Sequence, residues 1–230
     1  MSAGVTQPDS DTAPVESRHQ LLQLVAEDQL CGRTVRGVAA GAVALVGADL
    51  DHTVFDKVDL RGADLSRVRL ENATLRAVDL RGAVLAGALW HRVGAADCDL
   101  TEADLSGATL LRCELGPLRM PRAVLRGAAL RGTRFSAVEL YRADLSRAVL
   151  TRCQFTGYAD DTASLSRASL AGAALIEVDL ARVNLYAADL RGAILVRCDL
   201  RGANLCEADL RGARLVACAT EGADLDGAVL

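Results

Sequence analysis

The chain has 230 residues and a formal net charge of −4; 51% of it is hydrophobic but only 3% is aromatic. With so few rings, its apolar mass of Ala, Leu and Val must form a thin, regular interior. The charge neither demands nor excludes nucleic acid, no apolar run approaches the ~18 residues of a membrane span, and seven cysteines in a chain with no secretory leader suggest a reducing, cytoplasmic setting.

Residues 1–15 are polar and contain Pro8 and Pro14, which predicts a disordered tail. Residues 16–31 carry Leu21, Leu22, Leu24, Val25 and Leu30, the pattern of a short amphipathic helix. From about Val35 to Leu230 a single five-residue unit recurs. Every fifth position from Leu45 to Leu230 makes 38 sites, of which 30 are Leu. Phe55, Trp90, Met120, Phe135 and Phe155 are also large there, and only Ala95, Asp160 and Thr220 break the rule. Two residues before these sites stands Ala 21 times, Val eight times and Cys five times, with Thr53, Thr133, Leu118 and Tyr158 making up the rest.

A period of five fits neither a helix nor an ordinary strand. It fits a short extended piece followed by a tight turn. Within the piece, residues two apart point the same way, so the small residue and the Leu face inward and the polar residue between them faces out. Gly62, Gly82, Gly107, Gly127, Gly192, Gly202 and Gly212 follow a Leu by two residues, where a corner can require φ > 0. Three stretches disturb the pattern: HRVGAADC at 91–98, the region of Gly116-Pro117 and Pro121, and TGYADDT at 156–162. The register survives all three, so no loop is expected, only a local bulge that turns Asp160 outward.

The unit ADLRG at 208–212, within ANLCEADLRGARL at 203–215, resembles the consensus of the pentapeptide-repeat family. That resemblance implies an all-β fold, a right-handed quadrilateral β-helix with four units to a coil, spanning 35–230 and capped by the 16–31 helix. Residues 20 apart would then stack, about nine coils would fit, and at ~4.8 Å per coil the rod would be roughly 45 Å long. Phe55, Phe135 and Phe155 share one place modulo 20, with Phe135 on Phe155.

Candidate chemistry is sparse. Cys98, Cys113, Cys153, Cys198 and Cys218 occupy the small inward slot and read as packing; Cys206 faces out. No His or paired Cys accompanies them as a metal set would need. His19, His52 and His91 have no nucleophile fixed near them, with His52 and His91 expected on one face. No enzyme, cofactor or metal is therefore expected. Outward acids form two expected columns: Asp59, Asp79, Asp99, Glu139, Asp179 and Asp199 in one, and Asp64, Asp104, Asp144 and Asp224 in the other. Charge is uneven along the chain: residues 45–110 hold 11 acids and 7 bases, 111–160 hold 4 and 9, and 161–230 hold 10 and 7.

The segment CELGPLRM, 113–120, is similar to a stretch in the mycobacterial fluoroquinolone-resistance member of the family. That branch implies a duplex mimic that binds DNA gyrase and protects it from quinolones or natural gyrase poisons. The first acid column would be its partner-binding face, without direct contact to nucleic acid or membrane. The resemblance also permits a homodimer through the C-terminal coil, for which Val216, Ala228, Val229 and Leu230 are the apolar candidates; Ile176, Ile194 and Val196 extend an outward strip near the same end. The alternative is a structural interaction rod with no link to topoisomerases.

Overall fold

A computed structural model describes residues 13–157 and 163–230. Each five-residue unit closes on itself at a corner. In Leu60–Ala63 the amide of Ala63 donates to the carbonyl of Leu60 at 3.0 Å, and Gly62 between them has φ +61°. The left-handed corner recurs with residues other than glycine, such as Arg67 at φ 57° and Ala187 at φ 52°. Four such units return the chain to the same face one coil higher, where backbone amides donate to carbonyls of the next coil, for example Leu60 to Asp79 at 2.8 Å. The result is a right-handed quadrilateral β-helix of parallel ladders.

The four faces differ in how extended they are. The first carries a seven-stranded sheet from Thr34–Arg36 to Gln154–Thr156. The second has three short strands, Cys98–Asp99, Leu118–Arg119 and Val138–Glu139, and otherwise single bridges. The third is held by single bridges among the described residues. The fourth is an eight-stranded sheet from Arg69–Glu71 to Arg214–Val216.

Inward side chains form one continuous core of stacked Leu with Ala, Val and Cys beside them. Phe135 and Phe155 stack with centroids 4.6 Å apart and planes 3° from parallel, as their spacing predicts. Ala95 shares a coil with Trp90, the bulkiest core residue, so the small residue offsets the large one. Helix α1, Arg18–Ala26, is shorter than the 16–31 expected; Ser17 accepts from the amide of Gln20 at its start, and Leu21 and Leu24 are buried against the core. Val15, expected in the tail, already bridges Val35 in the first ladder. The rest of the expected tail, apart from residues 13 and 14, lies outside the described residues.

One expectation fails in a way that matters for function. Stacked residues are 20 apart as far as Phe135 and Phe155, but the next pairs are Glu139 with Ser164, Asp144 with Ser169, Leu150 with Leu175 and Gln154 with Asp179. These are 25 apart. The step between these described neighbours is therefore one five-residue unit longer than elsewhere, where four units to every coil had been expected. The bulge predicted for Asp160 lies outside the described residues.

Candidate functional site

The outward residue before each Leu has a structural task before any other. Asp59 Oδ1 accepts the amide of Arg61 at 3.0 Å, Asp99 that of Thr101 at 2.9 Å and Asp104 that of Ser106 at 2.8 Å. Asn184 and Asn204 do the same for Tyr186 and Cys206, both at 3.0 Å. An acceptor on a short side chain satisfies an amide at the turn, which is why Asp and Asn recur in this slot.

Where the residue two later is Arg, the carboxylate is also neutralised. Arg61 grips Asp59 at 2.9 and 2.6 Å, Arg191 grips Asp189 at 2.8 and 2.7 Å, and Arg211 grips Asp209 at 2.9 and 2.6 Å. Arg81 and Arg201 hold Asp79 and Asp199 alike. These side-chain hydrogen bonds hold the carboxyls of Asp59, Asp79 and Asp199 below the usual range, and that of Asp209 down to about 2.

The expected acid columns are redrawn by this longer step. Asp59, Asp79 and Asp99 do stack on the second face, followed by Arg119 and Glu139, which pair at 3.3 Å. Above Glu139 the column continues through Ser164, Asn184 and Asn204 to Asp224. Asp179 and Asp199 do not join it; they sit on the first face above Gln154. Asp224 leaves the expected second column in turn, and the third face instead runs Asp64, Val84, Asp104, Val124, Asp144, Ser169, Asp189, Asp209 and Val229. Adding one whole unit leaves every later residue's place within its unit unchanged and moves it to the preceding face, so a five-residue period carries no trace of the shift.

The cysteines pack as expected. Cys98, Cys113 and Cys198 are buried, and desolvation pushes their thiols up to about 11. Cys113 and Cys198 lie against backbone carbonyls of the coil below, Trp90 and Leu175. Asp224 beside the outward Cys206 raises its thiol as well, which works against reactivity. His52 and His91 fall in neighbouring columns, not one: His52 meets Asn72 at 3.3 Å, while His91 meets Glu71 at 3.1 Å.

Two features escaped the sequence. The outward column that precedes the inward residues of the fourth face is apolar well beyond the C-terminal strip: Leu89, Val149 and Ile194 are exposed, with Thr109, Ala129 and Ala174 between them and Arg69 and Arg214 at the two ends; exposed Val216 stacks on Val196 in the column on the other side of the inward residues. Beside it, at the corner with the first face, Arg112, Arg131 and Arg152 line one groove. The sequence showed a basic middle but not that these three converge.

Eight copies of the pentapeptide-repeat profile match the chain, over residues 42–72, 73–110, 122–157, 163–202 and 184–230. The chain belongs to the pentapeptide-repeat family. Among curated proteins, none matches it. Among solved structures, this pentapeptide-repeat chain is similar to HetL, a pentapeptide repeat protein involved in heterocyst differentiation regulation from the cyanobacterium Nostoc sp. strain PCC 7120, at 29% identity over 95% of each chain with a TM-score of 0.56. It also shares its fold with a trypsin-treated form of QnrB1, a plasmid-mediated fluoroquinolone resistance protein, at 21% identity over 83% of this chain and 90% of that one, with a TM-score of 0.51.

Proposed function

We propose that this pentapeptide-repeat chain is a non-catalytic docking rod that binds another protein along its length. The observation that carries the reading is the exposed apolar column of the fourth face, Leu89 at 38%, Val149 at 44% and Ile194 at 42% exposure, with Thr109, Ala129 and Ala174 between them. Nothing in the ladder's hydrogen bonding requires these side chains, since the backbone alone closes it, and contiguous apolar surface of this kind marks an interface. The extended sheet beneath keeps it flat and rigid, so little order is lost on docking. The test is proximity labelling in the source cell with the wild type and with Val149→Arg/Ile194→Arg. The reading expects proteins labelled by the wild type and lost from the variant; identical sets overturn it.

Self-association through the last coil belongs to the same proposal. Val229 and Leu230 there are 48% and 84% exposed, continuous with Val216, and Ala228 packs against the core edge.

DNA gyrase as the partner is the second reading. It is favoured by the stacking of Asp59, Asp79 and Asp99 on three successive coils, a carboxylate ladder in which Asp59 and Asp79 hold Arg61 and Arg81 while Asp99 is bound by a threonine hydroxyl. The QnrB1 likeness supports the fold alone. This reading expects protection of gyrase from quinolone-induced cleavage by the wild type and loss of it on Asp59→Lys/Asp79→Lys/Asp99→Lys, with affinity falling as salt rises. Wild-type protein that neither binds gyrase nor changes supercoiling at low salt overturns the gyrase reading and leaves the docking rod.

A further inference from the structure

We infer that the corner groove around Gly132 is a binding site for a small oligophosphate, an anion carrying two or more linked phosphoryl groups. The groove is about 430 Å³ and is lined by His91, Leu111, Arg112, Arg131, Gly132 and Arg152, a size suited to a small ligand. It opens because of one missing side chain. In the corner column that joins the fourth face to the first, Arg112 lies one coil below Gly132 and Arg152 one coil above. A Cβ at Gly132 would stand 3.7 Å from Cγ of Arg112, an ordinary contact distance, so the glycine leaves this place in the column without a side chain beside the stem of Arg112. The two arginine positions are about 10 Å apart along the rod, two coil steps, and Arg131 projects from the fourth-face strand next to the gap.

What marks this groove is convergence. Many arginines on the rod hold a carboxylate, as at Asp59, Asp189, Asp199 and Asp209, and others stand without one, but here three arginines line one groove. Among the described residues, Arg112 and Arg131 have no carboxylate within salt-bridge distance, and Arg152 is turned toward Glu177 at 2.7 Å. The remaining ionisable lining group, His91, is held from the far side by Glu71 at 3.1 Å. Guanidinium groups concentrated in a groove repel one another unless an anion lies between them. Their planar forks match phosphoryl oxygens two at a time. A single carboxylate meets one fork at one level, whereas a chain of phosphoryl groups offers acceptors on several sides and can bridge levels. Leu111 gives the groove an apolar floor.

Calorimetry of the full chain with inorganic triphosphate at low ionic strength tests this. The expected result is one site per chain, with affinity falling as salt rises. Arg131→Gln is expected to weaken binding at least tenfold. Gly132→Arg is expected to abolish it by filling the gap; its left-handed corner tolerates arginine, because Arg112 and Arg152 adopt φ of 54° and 53° in the same column. Arg131→Gln is expected to melt at the wild-type temperature without ligand, and Gly132→Arg to remain folded but melt slightly lower, since neither touches the core while arginine at φ +61° carries the left-handed cost. No binding at millimolar triphosphate overturns the proposal, as does wild-type affinity in Arg131→Gln. Binding of a hexaglutamate peptide as tightly as triphosphate overturns the phosphate assignment in favour of an acidic protein segment.

Discussion

A side chain in this chain is worth very different amounts depending on which of five places it takes. Leu145 and Leu185 are both 1% exposed, so Leu145→Asp or Leu185→Asp would bury a charge with no partner. The expected cost is several kcal/mol, against under ~0.5 kcal/mol for an outward change such as Arg147→Ala; equal thermal shifts would refute the inward assignment. The corner position behaves differently again. Ala187 holds φ at 52° with no side-chain bond to justify it, and the left-handed region costs an alanine about 1 kcal/mol. Ala187→Gly is expected to raise stability by roughly 0.5 kcal/mol, the remainder going to the freer unfolded chain, read as a higher midpoint in urea. Ionisation of the outward slot adds a pH dependence. Asp59, Asp79, Asp199 and Asp209 have carboxyls depressed by their arginines, Asp209 to about 2. Their contribution is present above the unfolded carboxylate value of ~3.9 and is lost as pH falls toward the folded values. The melting temperature is expected to fall between pH 4 and pH 2, and a flat profile there would contradict the pairing.

At the scale of the coil, the one 25-residue step is the informative element. The bridges Glu139–Ser164 and Gln154–Asp179 carry it. Deleting 158–162 would bring these neighbours to the 20-residue spacing of the other coils, and shortening a chain segment between fixed ends costs little in closure entropy. The expected outcome is an unchanged or slightly higher melting temperature with the same circular dichroism, and loss of cooperative unfolding would show that the unit is structural. Asp79→Asn tests the corner at the same scale. Asn184 and Asn204 already fill this slot, so the asparagine variant is expected to keep the turn, while Asp79→Ala leaves the amide of Arg81 to water at a cost of about 1 kcal/mol.

For the whole molecule, neighbouring coils support one another, and the most exposed inward residues lie in the last coil, as with Leu215 at 42% and Leu225 at 46%. If that coil and Val216 form the proposed self-contact, sedimentation at micromolar concentration is expected to give twice the 24.1 kDa monomer mass. Leu230→Arg is expected to return the monomer with unchanged circular dichroism. A 24 kDa wild-type species at that concentration would remove self-association and leave the fourth-face docking surface to be judged separately.

Which side chains face in and which face out was legible in the sequence, because that depends only on position within a five-residue unit and the unit never loses phase. The same phase placed the glycine corners and the packed cysteines, while the stacking of Phe135 on Phe155 needed the four-unit coil that the family resemblance implied. Which face a residue stands on was not legible, because that depends on counting units around the coil, and one step is a unit longer than the rest. So Asp179 and Asp199 parted from Asp59, Asp79 and Asp99, while Asp189 and Asp209 joined Asp64, Asp104 and Asp144. The apolar fourth face and the Gly132 groove are likewise properties of stacking: their residues lie 20 or 25 apart in the chain and meet only because parallel ladders bring successive coils to the spacing of hydrogen-bonded strands.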